Sequence, residues 1–168
     1  MNGKDRLSPH LTYNELIRSE TARRLGIKNI PNQEQLENFK YWAKVIFEPL
    51  RERVNSPIFC SSLFRTEEVN KRTPNSSPTS AHMGLNGMAA GDLDNDGFID
   101  WANNRRIFEC AIKLPLFDQI IWEYGDEEKP DWVHIGINRF KNRFQILRSV
   151  RKGDGVKYLD LTYKYRNV

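Results

Sequence analysis

Apolar residues along the first third of the chain recur at three- and four-residue steps. After Pro115 they change to alternating or continuous runs. The first pattern is the buried stripe of a helix and the second belongs to strands. Thr12 precedes Glu15 by three positions, the spacing of a capping box. A helix is therefore predicted to open at Thr12, carry Leu16, Ile17, Ala22 and Leu25 on its apolar side, and stop at Gly26. Pro31, Asn32 and Gln33 open a longer helix with Leu36, Phe39, Ala43, Ile46 and Leu50 on one face. Pro49 has no N–H to give, so this helix must kink or lose its regularity there.

Residues 57–61 read as a short strand, 66–72 as a brief helix, and 73–79, rich in Pro, Ser and Asn, as a loop. Asn103 or Asn104 is placed to cap a third helix bearing Ile107, Phe108, Ala111 and Ile112. Strands are predicted at 119–124, 132–137, 143–147 and 158–165. In the last, Leu159, Leu161, Tyr163 and Tyr165 would share one face. Helices first and strands later predict an α+β fold, with a small, mainly antiparallel sheet and helices around it.

Composition narrows the classes. The 168 residues fit one domain spanning 1–168 and suffice to bury a core without covalent staples. Cys60 and Cys110 follow no disulfide or metal spacing and are expected as buried free thiols of a reducing compartment. The N-terminal stretch lacks a basic-then-apolar leader, and no apolar run approaches a membrane span. Synthesis in the cytoplasm without a signal peptide, and no membrane insertion, are therefore expected. Basic residues exceed acidic ones by 26 − 22 = 4, mostly from Arg139 through Arg166. Without an aromatic–basic module or a helix-turn-helix, this excess reads as a solvated face and not as a specific nucleic-acid site. A monomer is expected.

The chain has three histidines, His10, His82 and His134. His82 lies in a stretch crowded with small residues that ends at Asp92, where the backbone can fold tightly and bring the two together. His134 lies on a predicted strand beside Trp132. Two imidazoles and a carboxylate suit a catalytic zinc with an open fourth position. A competing pattern starts at Asp92: Asp92-Leu-Asp94-Asn-Asp96-Gly97 follows the calcium-loop spacing, with Asp100 further on. It places a calcium site at Asp94, Asp96 and Asp100, although position twelve is Asn103 where a bidentate Glu belongs.

Several short motifs stand in a telling order: Leu11 to Ile27; Pro49-Leu-Arg; Ser61-Ser-Leu-Phe-Arg65; Ser80, His82, Gly87, Ala89 and Asp92 in S-x-H…G-x-A…D; Asp118-Gln-Ile-Ile-Trp-Glu123; Trp132-Val-His134; and Asn142-Arg143. In this order the chain resembles the zinc murein peptidases of the D-alanyl-D-alanine carboxypeptidase and L-alanyl-D-glutamate endopeptidase type, in particular their small phage and bacterial members. The resemblance covers about residues 11–149.

It implies zinc held by His82, Asp92 and His134 in a cleft at the sheet. Asp131, the acid three residues before the second histidine, would be the catalytic base, with Glu123 as the other candidate or as support for the metal ligands. Arg65 would bind a substrate carboxylate or carbonyl, Ser80 would hydrogen-bond substrate, and Trp132 would form core or pocket wall. The implied substrates are peptidoglycan stem peptides, reached after release or export by another route.

The chain departs from the family spacing S-x-H-x-x-G-x-A-x-D. Its His82–Asp92 interval is three residues longer, with one extra residue at Gly91, and Gly136 stands where the family often has Ser. A relative that binds cell wall without cutting it, and a calcium-stabilised interaction domain, are the alternatives these departures and the acidic loop leave open.

Overall fold

The computed structural model describes residues 5–153 and 155–166, without the side chain of Arg166. A two-stranded ribbon, β1 (Arg6–Ser8) and β2 (Leu11–Thr12), leads into α1 (Tyr13–Ile17) and α2 (Glu20–Leu25). The expected capping box is present: Thr12 accepts from the Glu15 N–H and the Glu15 side chain returns to the Thr12 N–H. The single predicted helix is two. Arg18 is extended and the Ser19 hydroxyl accepts from the Ala22 N–H, capping a second start. Gly26 ends α2 at φ 65°.

α3 (Gln33–Trp42) passes through a π-helical segment, Ala43–Phe47, into α4 (Glu48–Val54). The Glu48 N–H reaches Ala43 O, five residues back, so the wide turn falls just before Pro49. Widening there accommodates a ring that can neither donate nor fit under a regular turn. Then come β3 (Cys60–Ser62), α5 (Glu67–Arg72), a 3-10 turn at Ala81–Met83, β4 (Met88–Leu93) and a second 3-10 turn at Asp100–Ala102. The chain continues with α6 (Asn104–Ala111), β5 (Gln119–Glu123), β6 (Trp132–Asn138), β7 (Gln145–Lys152), β8 (Gly155–Asp160) and α7 (Thr162–Arg166). Asn103 caps α6.

The architecture is α+β as expected, but the sheet is mixed. Six strands run in the order β3-β4-β6-β5-β7-β8, antiparallel throughout except for the parallel pair β5–β7. Strand β4 occupies the free side of β6, so β7 passes to the far side of β5 and runs parallel to it. The pattern of β4 hid it from the sequence reading, because Met88-Ala-Ala-Gly-Asp-Leu offers small residues without β-branching. The strand predicted at 158–165 stops at Asp160, whose carboxylate accepts from the Thr162 N–H and turns the chain into α7. Leu161 and Tyr165 still pack on the core, whereas Tyr163 is exposed.

One face of the sheet, with Val133, Ile135, Ile120, Trp122 and Ile146, meets the helices in a core that includes Phe39, Trp42, Phe47 and Phe108. Cys60 and Cys110 are buried and free, and burial pushes both thiols up. No helix among the described residues is long and apolar enough to cross a membrane.

Candidate metal centre

The opposite face of the sheet carries the chemistry. Asp92 on β4 is paired with His134 on β6, and His134 with Ile121 on β5. Directly opposed residues share a face, so Asp92 and His134 are neighbours by strand register alone. Glu123, paired with Trp132, lies on the same face one step further along.

His82 arrives from outside the sheet on the 3-10 turn. The segment after β3 holds it twice: the Arg65 N–H donates to His82 O at 2.9 Å, and the His82 ring Nδ1 donates to Leu63 O at 2.6 Å. Donation from Nδ1 leaves Nε2 with a lone pair, the form a metal ligand needs. That nitrogen stands 3.2 Å from Asp92 Oδ1 and 3.3 Å from His134 Nδ1, and His134 Nδ1 stands 2.9 Å from the same oxygen. Neighbouring tetrahedral ligands at zinc distances of about 2.0–2.1 Å lie roughly 3.3–3.4 Å apart. The three donor atoms match that spacing within a few tenths of an ångström, so the residues fit the ion the resemblance implies. Among the described residues this is the group of three placed to hold a metal.

The longer His82–Asp92 interval does not separate the ligands. Gly84 ends the 3-10 turn at φ 66°, and Leu85 to Met88 form a tight reversal closed by the Met88 N–H on Leu85 O, with Asn86 at φ 54° and Gly87 at φ 75°. Gly91 has a packing reason: a Cβ there would stand 2.6 Å from Trp42 Cζ2 and 2.7 Å from Leu63 Cδ2. The Trp42 ring runs beneath it to donate from Nε1 to Ile135 O.

Burial alone would raise the Asp92 carboxyl, but its electrostatic interaction with the two imidazoles outweighs burial and holds the group well below the carboxylate range. Burial lowers His82 and keeps it neutral, although the Asp92 charge opposes this in part. Arg65 donates from Nη2 to Asp92 Oδ2 at 3.0 Å, while its Nε and Nη2 also meet Ser62 Oγ. The guanidinium therefore orients the carboxylate from the side away from the histidines.

These groups open on a pocket of about 660 Å³ that runs from the 73–79 loop to Tyr158. Ser80 and Trp132 line it. The Ser80 hydroxyl accepts from the His82 N–H and so also shapes the turn that presents the histidine. Trp132 packs edge-on against Tyr124.

The two acidic candidates are placed differently. Glu123 lines this pocket, is 9% exposed, and accepts from Ser149 Oγ at 2.5 Å. Burial raises its carboxyl, and the Ser149 hydroxyl offsets this only partly. Asp131 is exposed and borders a neighbouring pocket with Lys129 and Arg151. Its N–H donates to Glu123 O, so it ties the strand carrying Glu123 through backbone.

The calcium expectation is corrected. Asp94 Oδ1 accepts from the Asp96 N–H and from Asn104 Nδ2, and Asp96 pairs with Lys129 Nζ at 2.5 Å, so an ammonium already supplies the positive charge. Asp100 is exposed in the second 3-10 turn. The loop is held by Asn95, fully buried, which accepts from the Phe59 N–H and donates to Pro57 O and Ala102 O.

Asp118 and Arg143, both in the sequence motifs, form an ion pair at 2.5 Å at the other end of the pocket. His10 is at the surface, paired with Glu48. Sequence reasoning missed Ser62, Ser149, Arg151 and Tyr158. Ser62 and Ser149 act through contacts that no spacing announces, and Arg151 and Tyr158 lie beyond the motifs.

Two imidazoles and a carboxylate able to hold a metal, facing a pocket with a buried carboxyl, are the arrangement of a metal-dependent hydrolase. The Peptidase M15 family matches residues 9–136, more than half of the chain, and the chain belongs to that family. It is thus a peptidase of the metallopeptidase class. No curated protein and no solved structure matches the chain.

Proposed function

We propose that the protein is a zinc-dependent murein peptidase that hydrolyses amide bonds in the stem peptides of peptidoglycan. Its zinc would be held by His82, Asp92 and His134 in a cleft at the sheet. The observation that carries this reading is the convergence of three donor atoms, 2.9–3.3 Å apart, beside the buried Glu123 in a family of peptidases.

When bound, zinc supplies Lewis acidity, polarising the scissile carbonyl and acidifying the attacking water. Glu123 takes the proton from that water and returns it to the leaving amine. Glu123 is favoured over Asp131 because it faces the ligands, and its raised carboxyl suits a group that must both accept and give a proton. Arg65 holds Asp92 in place and, from the pocket wall, offers its remaining N–H groups to the substrate carbonyl or carboxylate. Ser80 and Trp132 border the peptide. The pocket extends past the ligands on both sides, which supports cleavage within a peptide more than removal of a terminal residue. The same reading has the protein made in the cytoplasm as a monomer and brought to the wall by release or another export route.

Elemental analysis of wild type and His134→Ala after dialysis against trace zinc tests the reading. We expect one zinc per wild-type chain, none in the variant, and release of peptides from purified peptidoglycan by wild type alone. Zinc-loaded protein that leaves peptidoglycan intact would refute the proposed activity.

A further inference from the structure

Three arginines line the pocket: Arg65, Arg143 and Arg151. Arg65 is paired with Asp92 and Arg143 with Asp118. Among the described residues no carboxylate is paired with Arg151. Its guanidinium instead lies over the Tyr124 ring, 5.0 Å from the centroid, and Tyr124 packs edge-on against Trp132. Tyr124 directly follows Glu123 and takes φ 50°, a left-handed conformation uncommon for a tyrosine, and so presents its ring as the platform. An arginine stacked in this way is held in one orientation, and among the described residues its guanidinium N–H groups meet no hydrogen-bond acceptor, so they are turned to the wall of the pocket.

Resting on the peptidase reading above, we infer that Arg151 is a specificity-determining residue that binds a substrate carboxylate remote from the cleaved bond. Strand register sets the distance. His134 is level with Ile121 on β5 and Leu147 on β7, and Arg151 lies four residues beyond Leu147 on the same face. Two strand spacings and four residues of rise separate the Cα atoms of His134 and Arg151 by about 16 Å. A carboxylate at Arg151 thus lies roughly four to five residues of extended chain from the metal site. It sits on the main-pocket side of the guanidinium, beside Tyr158, because the neighbouring pocket beyond carries Asp126 and Asp131, which repel an anion. The ligand class is a peptide with a free acid, not an amide, at that remove.

The test reads binding, not turnover. Full-length, zinc-loaded protein in a Glu123→Gln background is titrated calorimetrically with two synthetic stem peptides, one with free side-chain and α-carboxylates and one with those groups as carboxamides. We expect the acid to bind about tenfold tighter, the strength of a charge-assisted contact. Arg151→Gln should abolish the difference by weakening the acid alone, and Arg151→Lys should restore part of it. Equal affinities with Arg151 present, no binding of either peptide, or a preference that survives Arg151→Gln would overturn the inference. Discrimination in binding, together with intact peptidoglycan after exposure to wild type, would leave the inference standing and sink the peptidase reading.

Discussion

At the scale of single residues, the candidate metal ligands and the candidate proton acceptor rest on different kinds of evidence. His82, Asp92, His134 and Arg65 were legible in the sequence through the ordered motifs of the family it resembles, and the structure brings all four together. For the proton acceptor the resemblance points to Asp131, whereas the acid that lines the pocket of His82, Asp92 and His134 is Glu123, a placement no spacing announces. Glu123→Gln should lower hydrolysis by about a hundredfold or more while retaining zinc. The sign of the pH effect follows from burial. The Glu123 carboxyl is raised, so it holds its proton to higher pH than an ordinary glutamate, and it must lose that proton to act. Hydrolysis should therefore fall on acidification through a pKa above the usual glutamate value.

For stability the same shift runs the other way. A carboxyl raised in the native state favours folding while protonated, and this contribution is lost as pH rises through its folded pKa. Wherever the buried carboxyl is ionised it costs stability, so the melting temperature of Glu123→Gln should equal or exceed that of wild type. A variant that keeps wild-type turnover, or that melts well below wild type, would contradict this assignment.

At the scale of elements, local signals were reliable where a cap or a stripe decides the outcome, as with Thr12 and Glu15, Asn32, and Asn103. They failed where a tertiary partner decides. β4 is a strand because β3 and β6 pair with it, and its small residues make room for Trp42 and not for a turn. α7 begins where Asp160 and Thr162 stop β8, overriding an alternation that reads as strand. Gly91 tests the packing argument. Gly91→Ala places a methyl against the Trp42 ring and should cost about 1–3 kcal/mol by forced repacking. Urea denaturation would measure it, and an unchanged midpoint would show that Trp42 yields freely.

At the scale of the whole molecule, the three ligands come from a 3-10 turn and two strands, and His82 reaches the sheet across a connection that only the fold holds in place. A metal that binds the native arrangement and not the unfolded chain stabilises by mass action. Zinc at a hundred times its dissociation constant should add about 2.7 kcal/mol, which for a chain of this size raises the melting temperature by roughly 5–10 °C. Calcium at the same concentration should leave it unchanged, since Lys129 and Asn104 already engage Asp96 and Asp94. Differential scanning fluorimetry after chelation and re-addition of each ion distinguishes these outcomes. A rise with calcium would restore the acidic loop as a metal site.

The amino-acid order by itself determined the α+β class, most helix starts and, through the family motifs, the candidate metal-ligating residues. The first two depend on residue type at short spacing, which hydrogen bonding and periodicity read directly, and the third on the order of motifs that the resemblance supplies. Only the tertiary structure decided that β5 and β7 run parallel, that Glu123 lines the pocket of His82, Asp92 and His134 while Asp131 borders the neighbouring one, and that the acidic loop closes on Asn95, Asn104 and Lys129. Those outcomes depend on which strand edge is already taken and which groups distant in sequence arrive to pair. Burial then shifts the Glu123 carboxyl in a way that no local pattern encodes.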